Sequence, residues 1–289
     1  MTKKCLTTLL LILQTALVAF AQADKAPEKT GETAKPAEAI AKAATTKSVA
    51  PKLAHPFPFK AGENLLFDIS FDKFIFSGKV GEMKLSVEKA TNKANLLALK
   101  GEIATKGFLP TLFRINLSQQ LSALVSSEDL GVSESSKIIE DNKSRKEHAL
   151  QINHEKGVMI YTFRNAKDKA AQPTITESPS PGWAQDILSI FYFARTQDLK
   201  DGAVIPLPIL DEGKVHHTEI IVESREEVKV DAGKFKAIKV NAKVFSGRFI
   251  KRDGEMFIWF SDDARRLPVK AKIKLPNATV NIELKKVPA

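Results

Sequence analysis

Between Val269 and Leu275 the chain alternates strictly: Val269, Ala271, Ile273 and Leu275 are apolar, and Lys270, Lys272 and Lys274 lie between them. A period of two predicts a strand with one buried and one wet face. Thr279 to Leu284 alternates in the same way, and Pro276-Asn277-Ala278 joins the two as a hairpin. Phe235 to Phe245 and Glu255 to Phe260 read as further strands, preceded by Val215 to Val222 and Glu226 to Val230. The N-terminal half predicts seven more: 65–71, 74–87, 96–105, 115–125, 132–140, 147–152 and 158–164. Turn chemistry such as Asn142-Lys143-Ser144 and Asn153-His154-Glu155-Lys156-Gly157 separates several of them. Spacings this short imply antiparallel pairing, because parallel strands need long crossovers.

One segment breaks the period. Trp183, Ile187, Ile190, Phe191 and Ala194 trace a helical stripe, and Leu188, Tyr192 and Phe193 make the opposite side apolar as well. Ser180 reads as the N-cap and Pro181 as the first helical residue. A helix apolar nearly all round is a buried one. The fold expected is mainly β: an antiparallel, spiralling, incompletely closed β-barrel wrapped around one apolar helix at about 182–197. Such a fold is analogous to those of periplasmic lipoprotein carriers and sigma-regulator sensor domains, an analogy that carries no function by itself. The polar, Pro-containing stretch 166–179 reads as a long loop and a candidate rim for a barrel mouth.

The first 54 residues are different material. Lys3 and Lys4, the apolar run Leu9 to Phe20, and the small-x-small sites Ala19-Phe20-Ala21 and Ala21-Gln22-Ala23 read as a signal peptide over 1–23. The run is shorter than the roughly 20 residues a membrane-spanning helix needs, so no stable transmembrane segment is expected after cleavage. Residues 24–54 are rich in Ala, Lys, Glu, Pro and Thr without an aromatic, and read as a disordered tether. Residues 55–289 read as a single domain. The only cysteine, Cys5, precedes the apolar run. It therefore offers no lipoprotein attachment site, and the mature chain has no disulfide, thiol nucleophile or Cys-ligated zinc. The chain's formal charge of +10 becomes +8 once Lys3 and Lys4 are removed with the leader. That balance suits attraction to anionic envelope material rather than to nucleic acid, although a merely solvated lysine-rich surface explains it too.

Three motifs in the C-terminal half resemble one family. They are Asp186-Ile187-Leu188-Ser189-Ile190-Phe191-Tyr192-Phe193-Ala194-Arg195, the hairpin Val230-Asp231-Ala232-Gly233-Lys234-Phe235, and the run Ile258-Trp259-Phe260-Ser261-Asp262-Asp263-Ala264-Arg265-Arg266-Leu267-Pro268-Val269. With Ala61-Gly62-Glu63-Asn64-Leu65-Leu66-Phe67 and the glycines at 78 and 81, they resemble the DUF 3108 family over roughly 57–285. The resemblance implies a bacterial envelope domain of unknown function.

Candidate chemistry is sparse. None of His55, His148, His154, His216 and His217 stands in a metal-binding spacing with another, and no nucleophile elbow, P-loop or His-Glu-x-x-His run occurs. No catalytic residue, metal or cofactor is expected. Asp262 and Asp263 are the most enzyme-like pair, but they sit in turn chemistry beside Arg265 and Arg266, and a structural turn is the simpler reading. Asp186 and Arg195 suit the two ends of the helix dipole. In a functional version Arg195 sits at the barrel mouth against an anionic head group.

The leading expectation is a non-catalytic, soluble periplasmic protein binding a lipid, lipoprotein or other hydrophobic ligand in a curved-sheet groove. Trp183, Ile187, Phe191, Arg195 and Trp259 are the groove candidates. Arg248, Lys251, Arg252, Lys270, Lys272 and Lys274 form a candidate basic surface for an anionic envelope polymer or lipid. The alternatives are a protein-interaction scaffold and a hydrolase using Asp262 and Asp263.

Overall fold

The structure is a computed structural model, and it describes residues 49–286 apart from 52, 74–75, 92, 169 and 246–253. The expected signal peptide, most of the expected tether, and Arg248, Lys251 and Arg252 lie outside the described residues. The elements are β1 (Asn64–Lys73), β2 (Phe76–Lys89), β3 (Leu96–Thr105), α1 (Phe108–Phe113), β4 (Leu117–Ser126), β5 (Val132–Asp141), β6 (Arg145–Asn153), β7 (Val158–Asn165) and β8 (Thr174–Pro179). After these come α2 (Ser189–Arg195), β9 (Val204–Asp211), β10 (Lys214–Val230), β11 (Gly233–Ala242), β12 (Glu255–Ser261), β13 (Pro268–Leu275) and β14 (Ala278–Lys286).

All fourteen strands form one antiparallel sheet in the order β8-β7-β6-β5-β4-β3-β2-β1-β14-β13-β12-β11-β10-β9. Each strand therefore pairs with its sequence neighbour, except where β1 meets β14 and where β8 and β9 stay apart. The connection between those two edges, residues 180–203, crosses the gap and carries α2 into the interior, where all seven of its residues are buried. The sheet is thus a barrel left open at one seam around an apolar helix, as the periodicity implies. Along β13, Val269, Ala271 and Ile273 point to the core while Lys270, Lys272 and Lys274 face outward. Asp231-Ala232 and Pro276-Asn277 turn the expected hairpins.

The helix is shorter than expected, and its cap is different. Ser180 does not cap it; its hydroxyl accepts from the Gly182 amide, 3.2 Å away. Residues 183–186 are instead irregular, with Gln185 in a parallel bridge to Ile209 on the β9 edge, and a turn at 187–188 leads into α2. Asp186 then starts the helix. Its carboxylate accepts from the amides of Leu188 (3.1 Å) and Ser189 (2.7 Å), while the Ser189 hydroxyl accepts from the Asp186 amide (2.9 Å). This reciprocal arrangement is a capping box.

Two strands and a helix were absent from the sequence reading. β8, inside the expected 166–179 loop, is a mostly exposed edge strand with no buried face to betray it. β9 contains Pro206 and Pro208, which count against a strand unless it lies at an edge, and it does. α1 is a short, six-residue helix between β3 and β4.

Candidate functional site

Two concave regions lie near the open seam, at opposite ends of the barrel. The first is a chamber beneath the tip of the β9–β10 hairpin. Glu212 and Gly213 both have left-handed backbone (φ 47° and 74°), the geometry of a two-residue hairpin turn. That turn packs against Tyr161 of β7 so closely that a Cβ on Gly213 would stand 2.8 Å from the Tyr161 Cβ. Lys137 on β5 and His148 on β6 come from the other side of the seam. His148 Nδ1 shares a 2.8 Å hydrogen bond with the Tyr161 hydroxyl and lies 4.0 Å from Glu212 Oε1. The Lys137 ammonium is 3.5 Å from Asp211 and 3.8 Å from Glu212.

Burial governs the charges here. It lowers the His148 pKa to about 3, helped by the positive charges of Lys137 and Lys146. Burial also raises Tyr161 and Glu212, with Asp211 adding to the latter, and it lowers Lys146. His148 and Tyr161 are accordingly neutral at neutral pH. The cavity measures about 40 Å³, with Asp186 and Ile187 in its wall. That is room for a few water molecules rather than an organic ligand. Sequence reasoning missed this cluster, because Lys137, His148, Tyr161 and Glu212 sit on four separate elements and carry no common spacing.

The second region is an open cleft of about 790 Å³ at the opposite end, where β1 and β9 begin. One wall is the lead-in segment, with Pro51, Leu53, Ala54, Pro56 and Pro58; the other is Ala203, Val204, Ile205 and Pro206. Thr196, Gln197 and Asp198 after α2, and Ala264 and Arg266 of the β12–β13 turn, complete its rim. The Ala54 amide donates to the Thr196 carbonyl (3.1 Å), which holds the lead-in in place.

The expected groove residues are not brought together. Trp183 is buried, its indole N–H donating to the Asp129 carbonyl (2.9 Å) and its ring 5.3 Å from that of Phe193. Phe191 is a core residue, and Ile187 lines the small chamber. Trp259 is on the other face of the sheet: it pairs with Lys239 and Lys270, while Met256, Ile258 and Phe260 point inward. It is nonetheless buried, roofed by the Lys239 ammonium 5.9 Å from its ring centre and donating to Glu226. Only Arg195 touches the cleft, and its guanidinium is committed. It binds both Glu63 oxygens (2.6 and 2.9 Å) and the carbonyls of Pro58 and Arg265 (both 3.0 Å).

Of the lysine row, Lys270 pairs with Glu283 (2.6 Å) and Lys274 with Glu255 (3.4 Å), so it is no bare basic face. Asp262 is held by Arg225 (3.1 Å) and Arg266 (3.0 Å). Asp263 accepts from the Arg265 amide (3.0 Å) and the Ser261 hydroxyl (2.8 Å) and pairs with the Arg265 guanidinium. Although partial burial works to raise its pKa, these bonds hold it below the ordinary value. Among the described residues no three His, Cys, Asp or Glu side chains converge as metal ligands, and no helix is long and apolar enough to cross a membrane.

The family model of a protein of unknown function, DUF3108, matches residues 67–285. The chain belongs to the DUF3108 family. No curated protein matches it. Among solved structures, this DUF3108 chain is similar to a β-barrel-like protein of the domain of unknown function DUF1849 from Brucella abortus, at 10% identity over 77% of this chain and 95% of that one, with a TM-score of 0.49. It is also similar to a candidate exported protein with a YmcC-like fold from Bacteroides fragilis (9% identity, 80% and 97% coverage, TM-score 0.33). A third is a candidate lipoprotein from Parabacteroides distasonis (11% identity, 80% and 97% coverage, TM-score 0.29).

Proposed function

We propose that this DUF3108 protein is a non-catalytic, periplasmic component of the cell envelope that holds an apolar group, such as an acyl chain or a hydrophobic peptide segment, in the cleft at the β9 end. The observation carrying this reading is the cleft itself: about 790 Å³, within the usual range of ligand sites, with prolines and Leu53 on one wall and Val204 and Ile205 on the other. Val204 is 55% exposed, a large apolar side chain left facing the opening. The basic n-region and apolar run at the N-terminus support export. The non-catalytic part is supported by the commitment of Asp262 and Asp263 to arginines and turn groups, and by the small size of the His148 chamber.

The ligand of this reading differs in place from the barrel interior, which α2 fills. Native mass spectrometry of protein purified from its own periplasm is expected to show a bound lipid or peptide. A fluorescent acyl-chain probe is expected to bind the wild type and to lose at least about tenfold in affinity in Val204→Glu, since one buried apolar side chain contributes on the order of 1.5–3 kcal/mol. A bare mass together with unchanged probe fluorescence would sink the ligand reading. That outcome would shift weight to a protein-interaction scaffold, which one observation favours: β8 is a free sheet edge with Ile175 65% exposed, a template for strand addition.

A further inference from the structure

At the end of the barrel opposite the cleft, the β3–β4 connection carries α1, and α1 presents two large apolar side chains to solvent. Phe108 is 75% exposed and Leu112 is 57% exposed. Four residues apart, they lie on the same helical face. This is not a loosely held loop. The Thr105 hydroxyl donates to the Ile115 carbonyl (3.2 Å) and accepts from the Leu117 amide (3.0 Å), which closes the base of the connection. Asn142 of the β5–β6 turn donates to the Arg114 carbonyl at the end of α1 (2.6 Å). The Thr111 hydroxyl donates back to the Gly107 carbonyl (2.9 Å). The fold thus fixes an apolar pair where water alone would disfavour it.

The charges around that pair are asymmetric. The neighbouring carboxylates are already engaged: Glu82 with Lys79, Lys106 and Lys285, Glu140 with Arg145, and Asp141 with the amides of Lys143 and Ser144. The Lys106 and Lys285 ammonium groups hold Glu82 at a pKa of about 2, so it remains an anion fully matched by cations. Arg114 and Lys143, in contrast, are exposed and have no carboxylate partner among the described residues. Two apolar side chains are too few for the roughly 1,000 Å² a stable protein interface buries. An apolar tip flanked by free cations fits the head-group layer of an anionic bilayer, where the rings and methyls insert and the cations meet phosphate.

We infer that α1 docks this protein on an anionic lipid surface through Phe108 and Leu112, with Arg114 and Lys143 contacting head groups. Docked in this way, the cleft at the other end of the strands faces away from the bilayer. The inference does not rest on what the cleft binds. Flotation of the full chain with phosphatidylcholine vesicles, with and without phosphatidylglycerol, tests it. The wild type is expected to float with the anionic vesicles. Phe108→Asp with Leu112→Asp, and the milder Phe108→Ser with Leu112→Ser, should weaken this at least about tenfold while leaving the urea midpoint unchanged. Arg114→Glu should weaken binding to the anionic vesicles alone, and Val204→Glu should float like the wild type. Absence of flotation by the wild type, or equal flotation by both apolar double variants, overturns the inference. So does a wild-type dimer that these variants convert to monomer, because a second copy would then be what covers the face.

Discussion

Replacing Arg195 with methionine keeps most of the side chain's apolar length and removes only the guanidinium. In the wild type that group is 2% exposed and joins three parts of the chain: Glu63 before β1, the Pro58 carbonyl of the lead-in, and the Arg265 carbonyl of the β12–β13 turn. It also lies over the rings of Phe59 (5.1 Å) and Tyr192 (5.7 Å). Arg195→Met leaves the Glu63 carboxylate buried without its cation and both carbonyls without a donor. Removing one partner of a buried pair costs about 3–5 kcal/mol, a large fraction of the 5–15 kcal/mol that stabilises a typical native protein. With a urea m-value of roughly 2–3 kcal/mol/M, the midpoint should fall by about 1–2.5 M. The diagnostic variant is Arg195→Met with Glu63→Gln. Neutralising the stranded carboxylate should return part of the loss, so the double variant should be more stable than Arg195→Met alone. Urea unfolding followed by tryptophan fluorescence measures both. A loss below about 1 kcal/mol for Arg195→Met, well under the expected cost, refutes the hub; so does a Glu63→Gln change that adds to the loss.

The His148 imidazole has a pKa near 3 in the folded protein, against an ordinary value of 6.5, so between those values the unfolded chain binds a proton that the folded chain does not. Stability should therefore fall as pH drops through that window, at up to about 1.4 kcal/mol per unit. His148→Gln should flatten this slope in urea titrations at neutral and mildly acid pH, and identical slopes would contradict a buried neutral histidine. Gly213→Ala places a methyl 2.8 Å from the Tyr161 Cβ on left-handed backbone, whereas Gly157→Ala has similar backbone (φ 65°) and open space. Thermal unfolding should show Gly213→Ala to be worse by about 1–3 kcal/mol, the usual range for overpacking; equal effects would mean the hairpin tip is free to move off β7.

The parts of the fold that were legible share one property, a buried face alternating with a wet one. Val269 to Leu275 displays its lysines and its apolar residues in strict turn, and Asp231-Ala232-Gly233 marks the β10–β11 hairpin. β8 has no buried face, and β9 hides behind Pro206 and Pro208, which have no amide hydrogen to offer a neighbouring strand. On β12, Met256 to Phe260 are all buried, so the sequence holds no sign that Trp259 points outward. That side is fixed by its register against Lys239 and Lys270, a long-range property. The cleft was illegible for a related reason. Leu53 and Val204 are far apart in sequence and meet only because the lead-in runs past the start of β9.

The pairing of β1 with β14 has a consequence for how the chain is made. Leu66 to Asp72 bond to Thr279 to Lys286, so the middle of the sheet is stitched from the two ends of the domain. Strands β1 to β8 and β9 to β14 can each assemble hairpin by hairpin as they emerge, because every other contact in the ladder is between sequence neighbours. The first strand, however, keeps one edge bare until the last has been synthesised. For as long as synthesis of the chain takes, Phe67, Ile69 and Phe71 belong to an unfinished edge that is exposed to misfolding. Truncation of even the final strand should therefore leave two half-sheets rather than a slightly smaller barrel.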